Sequence, residues 1–284
     1  MVSVSVDLLL DPLRYGFLVR GLAAALLIGA LCAVVGTYVV LKGFAFIGDA
    51  LAHIAFTGIV VAFLSGFALT LGALAAALVA GLGIGLIHRR VGLSTDTAIG
   101  ILFSGVFALG LVLMSVGIKT YTVDLFSYVF GDILSVRAVD LLTIACLSGL
   151  VLLVVVLLYK ELLFVSFDPV VAEASGLPGG VLQLLLLTLL SVTVVVSVQA
   201  VGVVLVVAML VTPSATAYLL TDRFHRVMLA GAGFGAFSAL VGFYLSYYLN
   251  VPSGGAIVLV ASALFALVAM LSPRRAALRL LVRR

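Results

Sequence analysis

The sequence predicts an all-α fold: a polytopic transmembrane helical bundle of about nine spans, or eight if one short turn is a break within a helix. Three observations carry this. First, 65% of the 284 residues are hydrophobic and only 9% are charged. A soluble domain carries roughly 25% charged residues, so a surface this poor in charge must face lipid. Second, apolar runs of about 20 residues, the length that crosses a bilayer core, recur along the whole chain. Third, the few basic residues sort to one side of those runs, as they do in membrane proteins.

The opening MVSVSVDLLLDPLRYGF has an early Asp7 and no basic stretch, so it reads as a short amphipathic lead-in rather than a cleavable signal peptide. Spans follow near 17–41, 52–68, 70–87, 97–116, 138–159, 181–199, 201–220, 227–249 and 255–272. The third and seventh come after very short turns, Gly66 to Gly72 and Gln199 to Gly202, hence the alternative count of eight. Residues 1–284 read as one transmembrane domain, with an interfacial segment near 160–178. In that segment Asp168 precedes Pro169, a good N-cap with proline at the first helical position, and Gly176 and Pro178 close the turn. A short helix is expected there, with Glu173 exposed on it. The tail SPRRAALRLLVRR reads as a basic amphipathic anchor.

If 159–180 is cytoplasmic and the spans alternate, that side holds Lys42, Arg89, Arg90, Lys160, Arg223, Arg226, Arg274, Arg275, Arg279, Arg283 and Arg284. Arg14, Arg20, Lys119 and Arg137 fall on the other side, accounting for all 15 basic residues. The positive-inside rule therefore places the N-terminus outside and the C-terminus in the cytoplasm, and an odd span count follows. A net charge of +4, scattered this way, does not suggest nucleic-acid binding. Cys32 and Cys146 lie in separate apolar runs without metal-ligand spacing and read as packing residues. The chain has no P-loop, G-x-S-x-G or H-E-x-x-H motif, so it is read as non-catalytic.

Against this background GDALAHIAF, residues 48–56, stands out. Asp49 and His53 are four apart, hence neighbours on one helix face, and Thr57 extends the stripe by a further turn. A polar line on an apolar helix points into a bundle or a pathway, because an Asp deep in lipid costs roughly 2.5–3.5 kcal/mol. One reading makes Asp49 a helix cap and His53 a partner of nearby backbone. The other makes them half of a divalent-cation site, since carboxylate and imidazole suit first-row metals and no thiol is near. A closed site needs four ligands, so a two-fold dimer would have to complete it. Ligation needs a neutral imidazole, so transport through such a site weakens at low pH.

Four further stretches join this one in a resemblance. FAFIGDALAHIAFTGIVVAFL (44–64), STDTAIGILFSGVFALGLVLMS (94–115), VDLFSYVFGDILSV (123–136), FDPVVAEASGLP (167–178) and VGVVLVVAMLVTPSATAYLLTDR (201–223) occur in order along nearly all of the chain. Together they resemble the membrane subunits of metal-ion ABC importers, the zinc/manganese/iron permease family. The resemblance implies a type II importer-like bundle in the inner or plasma membrane of a prokaryote, working as a two-fold homodimer. It implies cytoplasmic ABC ATPase subunits and an extracytoplasmic metal-binding protein as partners, a transported zinc, manganese or iron ion, and no permanently bound cofactor. The family's intramembrane acidic residue and histidine fall on Asp49 and His53, and its coupling segment on the stretch with Asp168, Glu173 and Gly176. Two positions depart from the pattern: Thr95 stands where many relatives have Glu, and Asp132 where many have Asn.

Asp124 and Asp132, in the loop 117–136, would make an acidic outer mouth that attracts cations, or would serve as helix caps. Asp96 follows Ser94 and Thr95, any of which can cap the next helix; a role in metal exit is the alternative. Gln199 either satisfies a turn or lines the pathway. A secondary, proton-coupled metal transporter is the competing function, although no inverted repeat is visible.

Overall fold

Apolar runs fold as helices because a bilayer offers no water to pair exposed backbone groups. The computed structural model describes residues 11–117, 133 and 136–272, and the structure of these is as follows. A 3₁₀ turn at Pro12–Arg14 leads into α1 (Gly16–Lys42), α2 (Ile47–Ser65), α3 (Leu69–Val91), α4 (Thr95–Gly117) and α5 (Ala138–Leu157). Two short helices follow, α6 (Tyr159–Phe167) and α7 (Pro169–Ala174), then α8 (Gly179–Tyr218), α9 (Phe224–Leu249) and α10 (Ser253–Leu271). Among the described residues, eight helices are long and apolar enough to cross a membrane, and Leu205–Tyr218 is a shorter apolar one. The basic tail and the outer-loop acids Asp124 and Asp132 lie outside the described residues.

Glycine in the left-handed conformation ends the first three helices. Gly43 (φ 73°) turns its N–H back onto Val39 O and Val40 O, Gly66 does the same onto Ala62 O and Phe63 O, and left-handed Gly92 ends α3. The second span therefore sits five residues earlier than expected at its start and three at its end. Asp49 is inside the first turn of α2 rather than ahead of the helix, where the partial positive charge of the helix N-terminus favours a carboxylate.

The long α8 is two arms. Gly202, at φ 77° and ψ 168°, adopts a conformation that side-chain-bearing residues avoid and breaks the helix. Contacts show that the chain turns back there. The first arm runs antiparallel to α3, with Gly180 beside Arg89 and Ser191 Oγ donating to Ala77 O at 3.0 Å. At the break, Val201 O and Leu205 approach Gly254 at the start of α10. The second arm then reaches Gly48 through Leu210, while Leu219 O accepts from Ser272 Oγ at the far end of α10. The expected short turn between Gln199 and Gly202 is thus a reversal between two helices.

Small residues bring these helices together, as they do where lipid gives no hydrophobic drive between helices. A Cβ on Gly36 would overlap Leu210 O, and Gly29 and Gly235 sit face to face between α1 and α9. Ser214 Oγ donates to Ala33 O at 2.8 Å, and Cys32 Sγ meets Ser197 Oγ at 3.3 Å, which is how that cysteine is used. α1 is consequently enclosed, 67% of its span being buried against 11% for α4, whose main neighbours among the described residues are α2 and α3. The expected interfacial helix is α7: Asp168 Oδ1 accepts from Val170 N and Val171 N at 3.1 and 3.0 Å, with Pro169 at the first position. The residues before it form α6, with Leu162, Val165 and Ser166 buried on one face.

Candidate metal centre

The first two turns of α2 present Asp49 and His53 on one face, each partly exposed (40% and 29% of the side chain). His53 Nδ1 lies 2.9 Å from Asp49 O and 3.4 Å from Asp49 Oδ1. A carbonyl oxygen only accepts, so Nδ1 carries a proton, and in the neutral ring Nε2 is then the nitrogen with a lone pair for a ligand. Backbone carbonyls commonly fix ligating histidines in this way. Neither of the two sequence readings is discarded by this bond: the imidazole does pair with local backbone, and that pairing is what leaves its other nitrogen available.

Two aromatic rings from α4 hold the imidazole. Phe103 and Phe107, one turn apart, meet His53 edge-on at 5.3 and 5.1 Å between ring centroids, and stack on each other at 5.8 Å. Below them α2 and α4 are locked by Thr57. Its side chain is buried, its Oγ1 donates to Val106 O at 3.0 Å, and the α4 backbone comes close because residue 110 is glycine. Thr57, expected to continue the polar stripe, has its hydroxyl engaged between the two helices.

Asp49 opens on a recess of about 250 Å³ lined by Phe46, Ala50, Asp96, Ile99, Gly100 and Phe103. Asp96 is therefore across a shared cavity from Asp49. Ser94 takes the capping role, its Oγ accepting from Thr97 N at 3.2 Å, and Asp96 is one of the residues lining the recess. Among the described residues, no three His, Cys, Asp or Glu side chains come close enough to hold a metal ion. The described residues of one chain supply the pair Asp49 and His53 and no closed site.

Elsewhere, Asp168 caps α7, Glu173 is exposed on it with its side chain against Gly179, and Gly176 is left-handed (φ 85°). His88 Nδ1 donates to Leu93 O at 2.8 Å, closing the loop after α3. Gln199 lies three residues before the reversal, with its Nε2 enclosed and unpaired among the described residues. Phe103 and Phe107 went unnoticed in the sequence. The signal was there: an F-x-x-x-F spacing that matches, one helix away, the D-x-x-x-H spacing it serves.

Comparison with known proteins bears on what this arrangement is for. The family model described as ABC 3 transport family matches residues 14–272. The manganese transport system membrane protein MntC of Halalkalibacterium halodurans is 43% identical over 266 residues, covering 94% of this chain and 91% of the relative. A probable iron transport system membrane protein of Haemophilus influenzae is 38% identical over 268 residues, 94% of each chain. Among solved structures, PsaBC from Streptococcus pneumoniae in complex with Fab superposes with a TM-score of 0.85 at 34% identity, over 99% of both chains.

Proposed function

The chain belongs to the ABC 3 transport family, and from that premise we propose that it imports a divalent transition-metal ion as a homodimeric permease driven by separate ATPase subunits. Manganese and iron are the favoured ions, because the relatives are named for their transport; the ligand chemistry admits zinc as well. An extracytoplasmic metal-binding protein delivers the ion. The basic residues orient the chain with its N-terminus outside and its C-terminus in the cytoplasm of a prokaryotic cell. Membership in an ATP-binding-cassette family removes the ground for a proton-exchange mechanism.

The observation that carries the reading is the state of His53. Its Nδ1 is bonded to Asp49 O, which makes Nε2 the ligating nitrogen of the neutral ring, and the Asp49 carboxylate stands beside it at the edge of an open recess. Two ligands do not close a metal site, so the ion is held only when a second copy contributes its own Asp49 and His53. The bare face of α4 supports such a pairing. Gly100 and Gly105 have open space beside them and Ser104 is exposed, so a second copy can approach closely next to Phe103 and Phe107. Asp124 and Asp132 form the acidic mouth in this reading, and Asp168, Glu173 and Gly176 shape the segment that the ATPase grips.

Uptake of radioactive manganese, iron and zinc by cells lacking their own high-affinity importers tests this. The cells carry the cognate ATPase and binding protein with the native chain or His53→Ala at matched membrane levels. Accumulation of one metal with the native chain and its loss in the variant is the expected result. Undiminished uptake by His53→Ala would remove the imidazole from the pathway.

A further inference from the structure

Three elements meet at one aromatic cluster near the metal helix. Tyr38 of α1 is fully buried, and its ring is edge-on to Phe224 of α9, with centroids 4.9 Å apart. Phe224 also touches Tyr159, the first residue of α6, at 6.1 Å. Tyr38 and Tyr159 thus pack on the same phenylalanine ring. Yet the Tyr38 hydroxyl has no hydrogen-bond partner among the described residues, and neither does the buried Ser166 hydroxyl of α6. An enclosed unpaired hydroxyl is rare and costs the desolvation of its polar atom.

The cluster has two outlets. On one side α6 runs directly into α7, the exposed segment with Val170 at 77% exposure. On the other, the end of α1 is pinned to the start of α2: Phe44 N–H donates to Val39 O at 3.0 Å and Ile47 N–H to Phe44 O at 3.0 Å, two residues before Asp49. Movement of α6 against Phe224 therefore has a short, stiff route to the metal-binding turn.

We propose that Tyr38, Phe224 and Tyr159 form the joint that couples the ATPase-docking segment to the metal helix, and that the Tyr38 hydroxyl gains the Tyr159 hydroxyl as partner in the other access state. Tyr38 is a positioning residue: it touches no metal and acts by favouring one arrangement of α6 over another. The inference rests on the proposed docking of an ATPase at α6–α7. A ligand or motor shifts an equilibrium only through contacts that differ between states, and this hydroxyl is a contact absent from the present one.

The test uses the full complex with its ATPase and binding protein in proteoliposomes, with manganese as the ion, reading metal transported per ATP hydrolysed. Tyr38→Phe removes an unpaired group here, so thermal stability of the permease stays the same or rises. Metal per ATP falls about fivefold, the shift one net hydrogen bond carries. Tyr159→Phe gives a similar fall, and the double variant is no worse than either single one, a pattern mere packing would not produce. Lower stability in Tyr38→Phe, a native metal-to-ATP ratio, or single effects that multiply in the double variant overturn the proposal. Val170→Asp reads the docking separately: if the ATPase still assembles and is still stimulated, the docking assignment is what fails.

Discussion

The contact between Thr57 and Gly110 makes the sharpest prediction about how the site is held. A Cβ at position 110 would overlap Thr57 Oγ1 and stand 3.0 Å from Thr57 Cβ. Overpacking by one methyl group costs about 1–3 kcal/mol, so Gly110→Ala is expected to destabilise the protein by that amount. Thr57→Ala loses the bond to Val106 O, worth about 0.6 kcal/mol on average between membrane helices and up to about 1.7. In the double variant the overlapping oxygen is gone, and the remaining Cβ contact is relieved by a few tenths of an ångström. Gly110→Ala should then cost under about 1 kcal/mol, giving a coupling of about 1–2 kcal/mol that favours the pair. The chain has no tryptophan, so helix content by circular dichroism during unfolding in mixed detergent micelles is the assay. Additivity within about 0.5 kcal/mol would refute the argument, because it would mean that α4 is not held against α2 at this point.

Other consequences are simpler to state. Phe107→Ala removes one of the two rings beside His53 and should lower metal uptake while leaving membrane levels near native; uptake equal to native would mean the rings do not position the imidazole. Asp168→Ala deletes two bonds to the α7 backbone, a capping loss of about 1 kcal/mol, and should weaken metal-dependent ATP hydrolysis by the assembled complex, read as phosphate release. Gly202→Ala places a side chain where φ is 77° and should sharply reduce the amount of folded chain recovered from membranes, as seen by size-exclusion chromatography.

Much of this architecture was legible in composition and period. Long apolar runs can only be helices in a bilayer, and Asp168 before Pro169 announced α7 through a bond its side chain had to make. Helix ends were less legible. The start of α2 was expected near residue 52, whereas the physical start lies upstream at Ile47, where a helix terminus tolerates Asp49. The reversal in α8 was visible only as a doubtful short turn, because the glycine that makes it looks like any of the 29 glycines in the chain. The Asp49–His53 pair followed from spacing, but its setting did not. That Phe103 and Phe107 flank the imidazole, that Asp96 shares the recess while Ser94 caps, and that Thr57 is committed to α4 all depend on which helix lies beside α2. Pattern within one segment does not carry that information.

The hairpin at Gly202 also bears on how the protein is made. Leu205–Tyr218 has 14 residues, about 21 Å of helix, against a hydrocarbon core of about 30 Å. An insertion machinery that samples apolar segments singly as they leave the ribosome would pass over so short an arm. Paired with the arm before it, it would insert as one hairpin. The fate of that one arm also fixes the last two helices: were it left outside, α9 and α10 would be laid down upside down.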